Sequence, residues 1–239
     1  MILLENLSLG FNQKILLKDV YNEYFSGKLT ALIGRNGSGK STLLKAICGL
    51  NNNYQGAIKI DGKNIKDFSA TELAHTVAYV NTSRPRLSNL RAEDIVKLGR
   101  SPHTGWHGKL SRNDYIIIEE ALNMVGMTDF SIRYFSELSD GEAQKIMIAR
   151  AIAQDTPVII LDEPTSFLDL PSRFDLVSLL KNLSLNKGKT IIFSTHELDI
   201  ATRLCDYISL LDSPNLTTLP TLEMIEHLKT DNHPFSQFL

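Results

Sequence analysis

Hydrophobic and polar positions change period several times along the chain, and the changes outline its elements. Leu3, Leu7, Leu9 and Phe11 share one parity, which predicts a half-buried strand over residues 3–11. Residues 15–24 repeat the pattern more weakly. A short apolar run, 29–33, stops at a glycine-rich loop, and residues 43–50 then carry helical spacing. Residues 57–60 read as a strand entering a tight turn at Asp61-Gly62, and 76–80 as another strand. From about Ser83 to Thr156 the pattern turns helical, around 95–98, 116–125 and 143–153, broken by a Pro/Gly/Trp stretch from Ser101 to Gly108. Strands return at 158–161, 190–193 and 207–211, separated by helical patterns at 173–183 and 197–204. Short, wholly apolar strands alternating with helices predict an α/β fold with a parallel sheet covered on both faces. The middle helical block reads as an insertion into that core.

The composition narrows the class. Of 239 residues, 43% are hydrophobic and 22% charged, which argues against disorder, a collagen-like chain or a bare coiled coil. Lys and Arg total 25 and Asp and Glu 27, a net charge of −2, so no nucleic-acid partner is expected. Cys48 and Cys205 lie in apolar stretches and read as core residues, not a disulfide framework. No run approaches the roughly 20 apolar residues that span a bilayer. The start, Met1-Ile2-Leu3-Leu4-Glu5, lacks the basic region of a signal peptide. The expected location is therefore the cytosol, with any membrane role exercised through a partner. The polar stretch 217–239 predicts no regulatory domain.

One loop carries chemistry outright. Gly34-Arg35-Asn36-Gly37-Ser38-Gly39-Lys40-Ser41-Thr42 fits G-x-x-x-x-G-K-[ST], with a buried strand entering and a helix leaving. Its glycines let successive N–H groups turn inward on phosphate oxygens, and the helix N-terminus adds a positive dipole end. Lys40 can reach the β- and γ-phosphates, and the Ser41 hydroxyl can ligate magnesium. The motif implies a nucleoside triphosphate without saying what it is used for.

The strand 158–161 ends in Asp162-Glu163-Pro164. Two acids closing an apolar strand suit a cation and a reacting water: Asp162 to hold magnesium, Glu163 to orient or deprotonate the water. A solvated corner is the plainer alternative. The phosphate loop upstream favours the first, because both strand ends are expected to abut in one sheet.

The ordered set of motifs resembles the ATP-binding subunits of ABC transporters over nearly the whole length. Leu138-Ser139-Asp140-Gly141-Glu142 resembles the family signature, followed by a helix with Lys145 and Arg150. Ser166-Phe167-Leu168-Asp169 resembles the loop after the acidic strand end, His196 the switch histidine, and Phe11 the aromatic that stacks on adenine. The resemblance implies a P-loop NTPase core with a parallel sheet, an N-terminal antiparallel β subdomain and an inserted α-helical subdomain. It further implies one ATPase domain over 1–239, with the core at about 1–82 and 157–239 and the helical part at about 83–156. ATP and Mg2+ are the implied cofactors. His196 is then a catalytic sensor of the γ-phosphate, beside Lys40 and Glu163. On the residues alone, Ser139 can cap a helix and Gly141 permits close approach at its start, an ordinary cap or a second anion cradle. The resemblance implies the cradle: two copies sit head to tail, and Ser139 and Gly141 hold the partner's γ-phosphate. Asp169 fits either a turn or that interface.

Three features depart from the family pattern. Thr82 stands where a glutamine touches magnesium and the attacking water, so a water bridge replaces direct contact. Asp140 and Glu142 replace glycine and glutamine; both side chains are expected to point away from the phosphate, since a carboxylate facing it is unfavourable. Residues 98–102, Trp106-His107-Gly108, Leu110-Ser111 and Asp114 loosely resemble importers of iron chelates, haem and cobalamin. His103 and His107 lack a third ligand and do not read as a metal site.

Together these imply the ATP-hydrolysing subunit of an importer for iron–siderophore, haem or cobalamin. The partners implied are a second copy, an integral membrane permease and, indirectly, a solute-binding protein. The alternative from another class is a soluble ABC ATPase acting on a macromolecular complex.

Overall fold

The computed structural model describes residues 1–11, 14–83, 85, 89–105, 108–230 and 233–238. The elements run β1 (Ile2–Phe11), β2 (Lys14–Tyr24), β3 (Leu29–Ile33), α1 (Lys40–Ile47), β4 (Tyr54–Ile60), β5 (Lys63–Asn64), α2 (Ala70–Thr76) and β6 (Val77–Val80). Three helices follow, α3 (Ala92–Leu98), α4 (Arg112–Met124) and α5 (Asp140–Ala153). The chain ends with β7 (Val158–Leu161), α6 (Leu170–Lys187), β8 (Thr190–Ser194), α7 (Leu198–Leu204), β9 (Tyr207–Asp212), β10 (Asn215–Pro220) and α8 (Thr221–Thr230).

Two sheets form. Strands β2-β1-β4-β5 make an antiparallel sheet, and β10-β9-β3-β8-β7-β6 make a six-stranded sheet, parallel except for the β10 edge. Alternate residues of the parallel strands enter different cores. Ala31, Ile159, Ile191 and Phe193 pack with residues of α3–α7, while Leu32, Val158, Ile160 and Ile192 pack with α1 and the antiparallel sheet. That double burial is why these strands read as unbroken apolar runs. β6 and β7 pair directly, so the chain between them leaves and re-enters one sheet edge, and α3, α4 and α5 pack on one another.

The structure corrects two expectations. The phase of β1 changes midway: Ile2 and Leu4 are fully buried, then Leu7 and Leu9, while Leu3 is not. A bulge with Asn6 at φ 48° supplies the odd residue that swaps faces. Opposite it sits Gly56 at φ 85°, where a Cβ would overlap the Asn6 carbonyl. Second, β3 and β7 are not neighbours; β8 lies between them. Residues 215–230 form β10 and α8, elements that the hydrophobic pattern does not announce because β10 is a half-exposed edge and α8 buries only Thr221, Met224 and Leu228. Helix α2 also escapes the hydrophobic pattern, having no buried residue; Ser69 and Glu72 cap it reciprocally.

Both cysteines are buried. Among the described residues no helix is long and apolar enough to cross a membrane.

Candidate active site

Strands β3, β8, β7 and β6 are parallel and adjacent, so their C-terminal ends share one edge of the sheet. Open α/β sheets bind ligands at that edge. The residues just past it are Gly34 after β3, His196 after β8, Asp162 after β7 and Thr82 after β6. Non-adjacent segments of the sequence thus converge.

The loop from Gly34 to Gly39 turns sharply into α1. Gly37 and Gly39 have φ of 74° and 111°, conformations that L side chains resist. Lys40, the first residue of α1, is 5% exposed, and its ammonium donates to the Gly34 carbonyl at 2.9 Å and the Arg35 carbonyl at 3.4 Å. Burial lowers its pKa, against the opposing pull of the Glu163 and Asp162 carboxylates. A cavity of about 250 Å³ is lined by Lys14, Leu16, Asn36, Gly37, Gly39, Lys40, Ser41, Thr42 and Glu163. The phosphate loop and the second acid of the β7 end therefore face one space, although β8 separates their strands.

Asp162 is 2% exposed and held from two sides. Its Oδ1 accepts the Ser194 hydroxyl at 2.7 Å, and its carbonyl accepts the Thr82 hydroxyl at 2.8 Å. Ser194 also accepts the Glu163 N–H at 2.8 Å. Glu163 has φ 47°, a strained backbone for a non-glycine residue that concentrates at functional sites. Its Oε2 accepts the Ser166 hydroxyl at 3.2 Å, and its Oε1 lies 3.9 Å from His196 Nδ1. His196 is more than half exposed. Ser194 was missed from sequence; its only signal is a hydroxyl residue closing an apolar strand two positions before His196.

Ser139 caps α5, as its type suggested. The Glu142 side chain does not point away as expected. It turns back, and its Oε2 accepts the Ser139 N–H at 2.7 Å and the Ser139 hydroxyl at 2.8 Å. The third position of a helix puts an acid within reach of the cap, and the reciprocal pair forms. Those bonds from the Ser139 amide and hydroxyl hold the Glu142 pKa down. Gly141 lies against this chain's own Phe167 carbonyl and Leu168 side chain, at 3.1 and 3.3 Å from where a Cβ would stand. None of residues 138–142 lines the phosphate-loop cavity. Asp169 caps α6 by accepting the Ser172 N–H at 3.0 Å, and hydrogen bonding to the Ser172 hydroxyl, then to its N–H, lowers the Asp169 pKa.

Phe11 ends β1 at backbone level, and its side chain lies outside the described residues, as do Trp106 and His107. His103 bonds the Gln154 carbonyl at 2.8 Å and packs edge-on to His75. Among the described residues no group of three His, Cys, Asp or Glu could hold a metal ion.

Residues 17–166 match the family described as ABC transporter. The chain belongs to that family. It is 35% identical over 204 residues to the iron(3+)-hydroxamate import ATP-binding protein of Bacillus subtilis, covering 85% of this chain and 76% of that one. A metal-chelate type ABC transporter in an inward-facing conformation superposes with a TM-score of 0.83 at 30% identity, over 97% of this chain and 88% of the other. A dimeric ATP-binding cassette in a post-hydrolysis state, bound to ADP and Pi, superposes at 0.80 with 27% identity, over 92% and 99%. The mixed α/β architecture is that of ABC cassettes. This ABC protein is an ATP-binding transporter subunit and an ATP hydrolase.

Proposed function

We propose that this ABC ATPase powers an importer for iron chelates, closing as two copies around ATP beneath a membrane permease, from the cytoplasmic side. The observation that carries the ATP chemistry is the shared cavity lined by Lys40, Ser41 and Glu163, with the buried Asp162 preceding Glu163 and held by Ser194. The phosphate chain would lie along the loop, with Lys40 swinging from the Gly34 carbonyl to phosphate oxygens and the amides from Gly34 to Thr42 lining it. The adenine would stack on Phe11.

The residues present fit a magnesium ion, because a buried carboxylate and a hydroxyl are hard oxygen donors. Asp162 and Ser41 would hold it, with Thr82 reaching it through water, and when bound it neutralises charge on the phosphate oxygens. Glu163 takes a proton from the attacking water as oxygen bonds the γ-phosphorus and the bond to the ADP oxygen breaks. His196, beside Glu163, faces the γ-phosphate.

The signature lies away from the phosphate-loop cavity of its own chain, which favours use by a second copy through Ser139, Gly141 and Asp169. Iron chelates are favoured as cargo because one relative is named for iron(3+)-hydroxamate import and a matching structure is that of a metal-chelate type ABC transporter. A solute-binding protein would deliver the cargo to the permease.

Glu163→Gln tests the chemistry. It is expected to keep ATP binding, lose most turnover and trap an ATP-dependent dimer; full turnover would reject the role of Glu163. Reconstitution with the co-purifying permease tests the cargo: ATPase stimulation by a ferric hydroxamate supports it, and stimulation only by a non-iron solute rejects it.

A further inference from the structure

Two loops at the strand ends, one carrying Asp169 and one carrying His196, are joined by a single side chain. Arg173, in the first turn of α6, donates from Nε to the Leu168 carbonyl at 2.8 Å and from Nη1 to Glu197 Oε1 at 2.6 Å. Leu168 directly precedes Asp169, and Glu197 directly follows His196. The guanidinium fork thus holds both loops at residues adjoining the groups proposed to face a second copy and the γ-phosphate. Glu197 is 11% exposed at its side chain, and its other oxygen is buried without a hydrogen-bond partner. Its amide donates to the Thr195 hydroxyl at 3.0 Å. A buried carboxylate held this way depends on Arg173, because removing the cation leaves an uncompensated charge. Leu168 also lies 3.3 Å from where a Cβ on Gly141 would stand, so the α5 start rests on the same loop.

We infer that Arg173 is a positioning residue that ties the placement of His196 to engagement of the 166–169 loop by a second copy. A planar fork can satisfy a carbonyl and a carboxylate at once; a lysine ammonium on a flexible stem is a poor substitute. The hydrogen bonds of Arg173 go to Leu168 and Glu197, not to the loop glycines or Glu163, so it acts on turnover through His196 and not on ATP capture. This rests on the two-copy reading above.

The test compares Arg173→Ala and Arg173→Lys in the full chain, alone and with Glu163→Gln. Arg173→Ala is expected to lower kcat about tenfold, the scale of a small misplacement of a reacting group. ATP affinity and the ATP-trapped dimer in the Glu163→Gln background are expected to stay near their starting values. Arg173→Lys is expected to fall between, with an unchanged melting temperature, and it decides the matter should the alanine variant not fold. Wild-type kcat in Arg173→Lys, or a loss of turnover that only tracks a loss of dimer, would overturn the inference. Absence of an ATP-dependent dimer in Glu163→Gln alone would overturn the two-copy reading, and the coupling with it.

Discussion

Ser194 Oγ stands 2.7 Å from Asp162 Oδ1, and the same oxygen receives the Glu163 N–H. One hydroxyl, wholly buried, therefore orients both acids of the β7 end. Ser194→Ala would leave the partly buried Glu163 N–H unpaired and the buried Asp162 carboxylate with one anchor fewer. The expected cost is about 1–3 kcal/mol of stability, together with a higher magnesium requirement for turnover. Denaturant unfolding and a magnesium titration of ATPase activity check it. An unchanged magnesium requirement would show that Asp162 holds its orientation without Ser194.

Thr82 spends its proton on the Asp162 carbonyl. Thr82→Val keeps the shape and removes that bond, worth about 1 kcal/mol. Turnover is expected to drop several-fold at unchanged ATP affinity. If steady-state kinetics show kcat untouched, the hydroxyl plays no part in placing Asp162.

Gly99 follows α3, where a Cβ would overlap the Arg150 carbonyl of α5. Backbone cannot yield as a flexible side chain can. Gly99→Ala is expected to cost about 2 kcal/mol or more, read as a lower urea midpoint. A midpoint matching the parent would mean α3 and α5 slide apart freely.

Arg100, just after α3, and Asp114 of α4 form a buried ion pair at 2.8 Å, and Arg100 Nη1 also donates to the Ala153 carbonyl at 2.7 Å. The Ser111 hydroxyl and amide, then Arg100, hold the Asp114 pKa down to about 2. A carboxylate whose folded pKa lies below its unfolded value of about 3.9 stabilises the fold above that pH. That contribution is expected to fade as pH drops from about 4 toward 2 and to vanish in Asp114→Asn. Parallel pH–stability curves for parent and variant over that window would contradict it.

Much of the fold was legible locally. Strands β3, β7 and β8 announce themselves because burial on both faces leaves them mostly apolar, with only the hydroxyls of Thr30, Thr190 and Ser194 among their residues. The glycine loop announces itself because glycine takes the positive φ of Gly37 and Gly39 without the steric cost that other residues meet there. Strand β1 was read in one phase because the bulge at Asn6 depends on pairing with β2 and β4, not on β1 alone. The capping role of Ser139 was visible, whereas the return of Glu142 onto it was masked by the expectation of a nearby anion.

By itself the sequence determined the α/β class, the alternation of strand and helix, and the kinds of groups at the strand ends. Those follow from short-range periodicity and backbone sterics, which act within a few residues. Tertiary structure alone decided that β8 separates β3 from β7, that Ser194 joins two acids, and that Arg173 spans two loops. Ser194 and Asp162 are 32 positions apart, and Arg173 and Glu197 are 24 apart. Contacts at such separations arise from strand order and helix packing, and no local pattern encodes them.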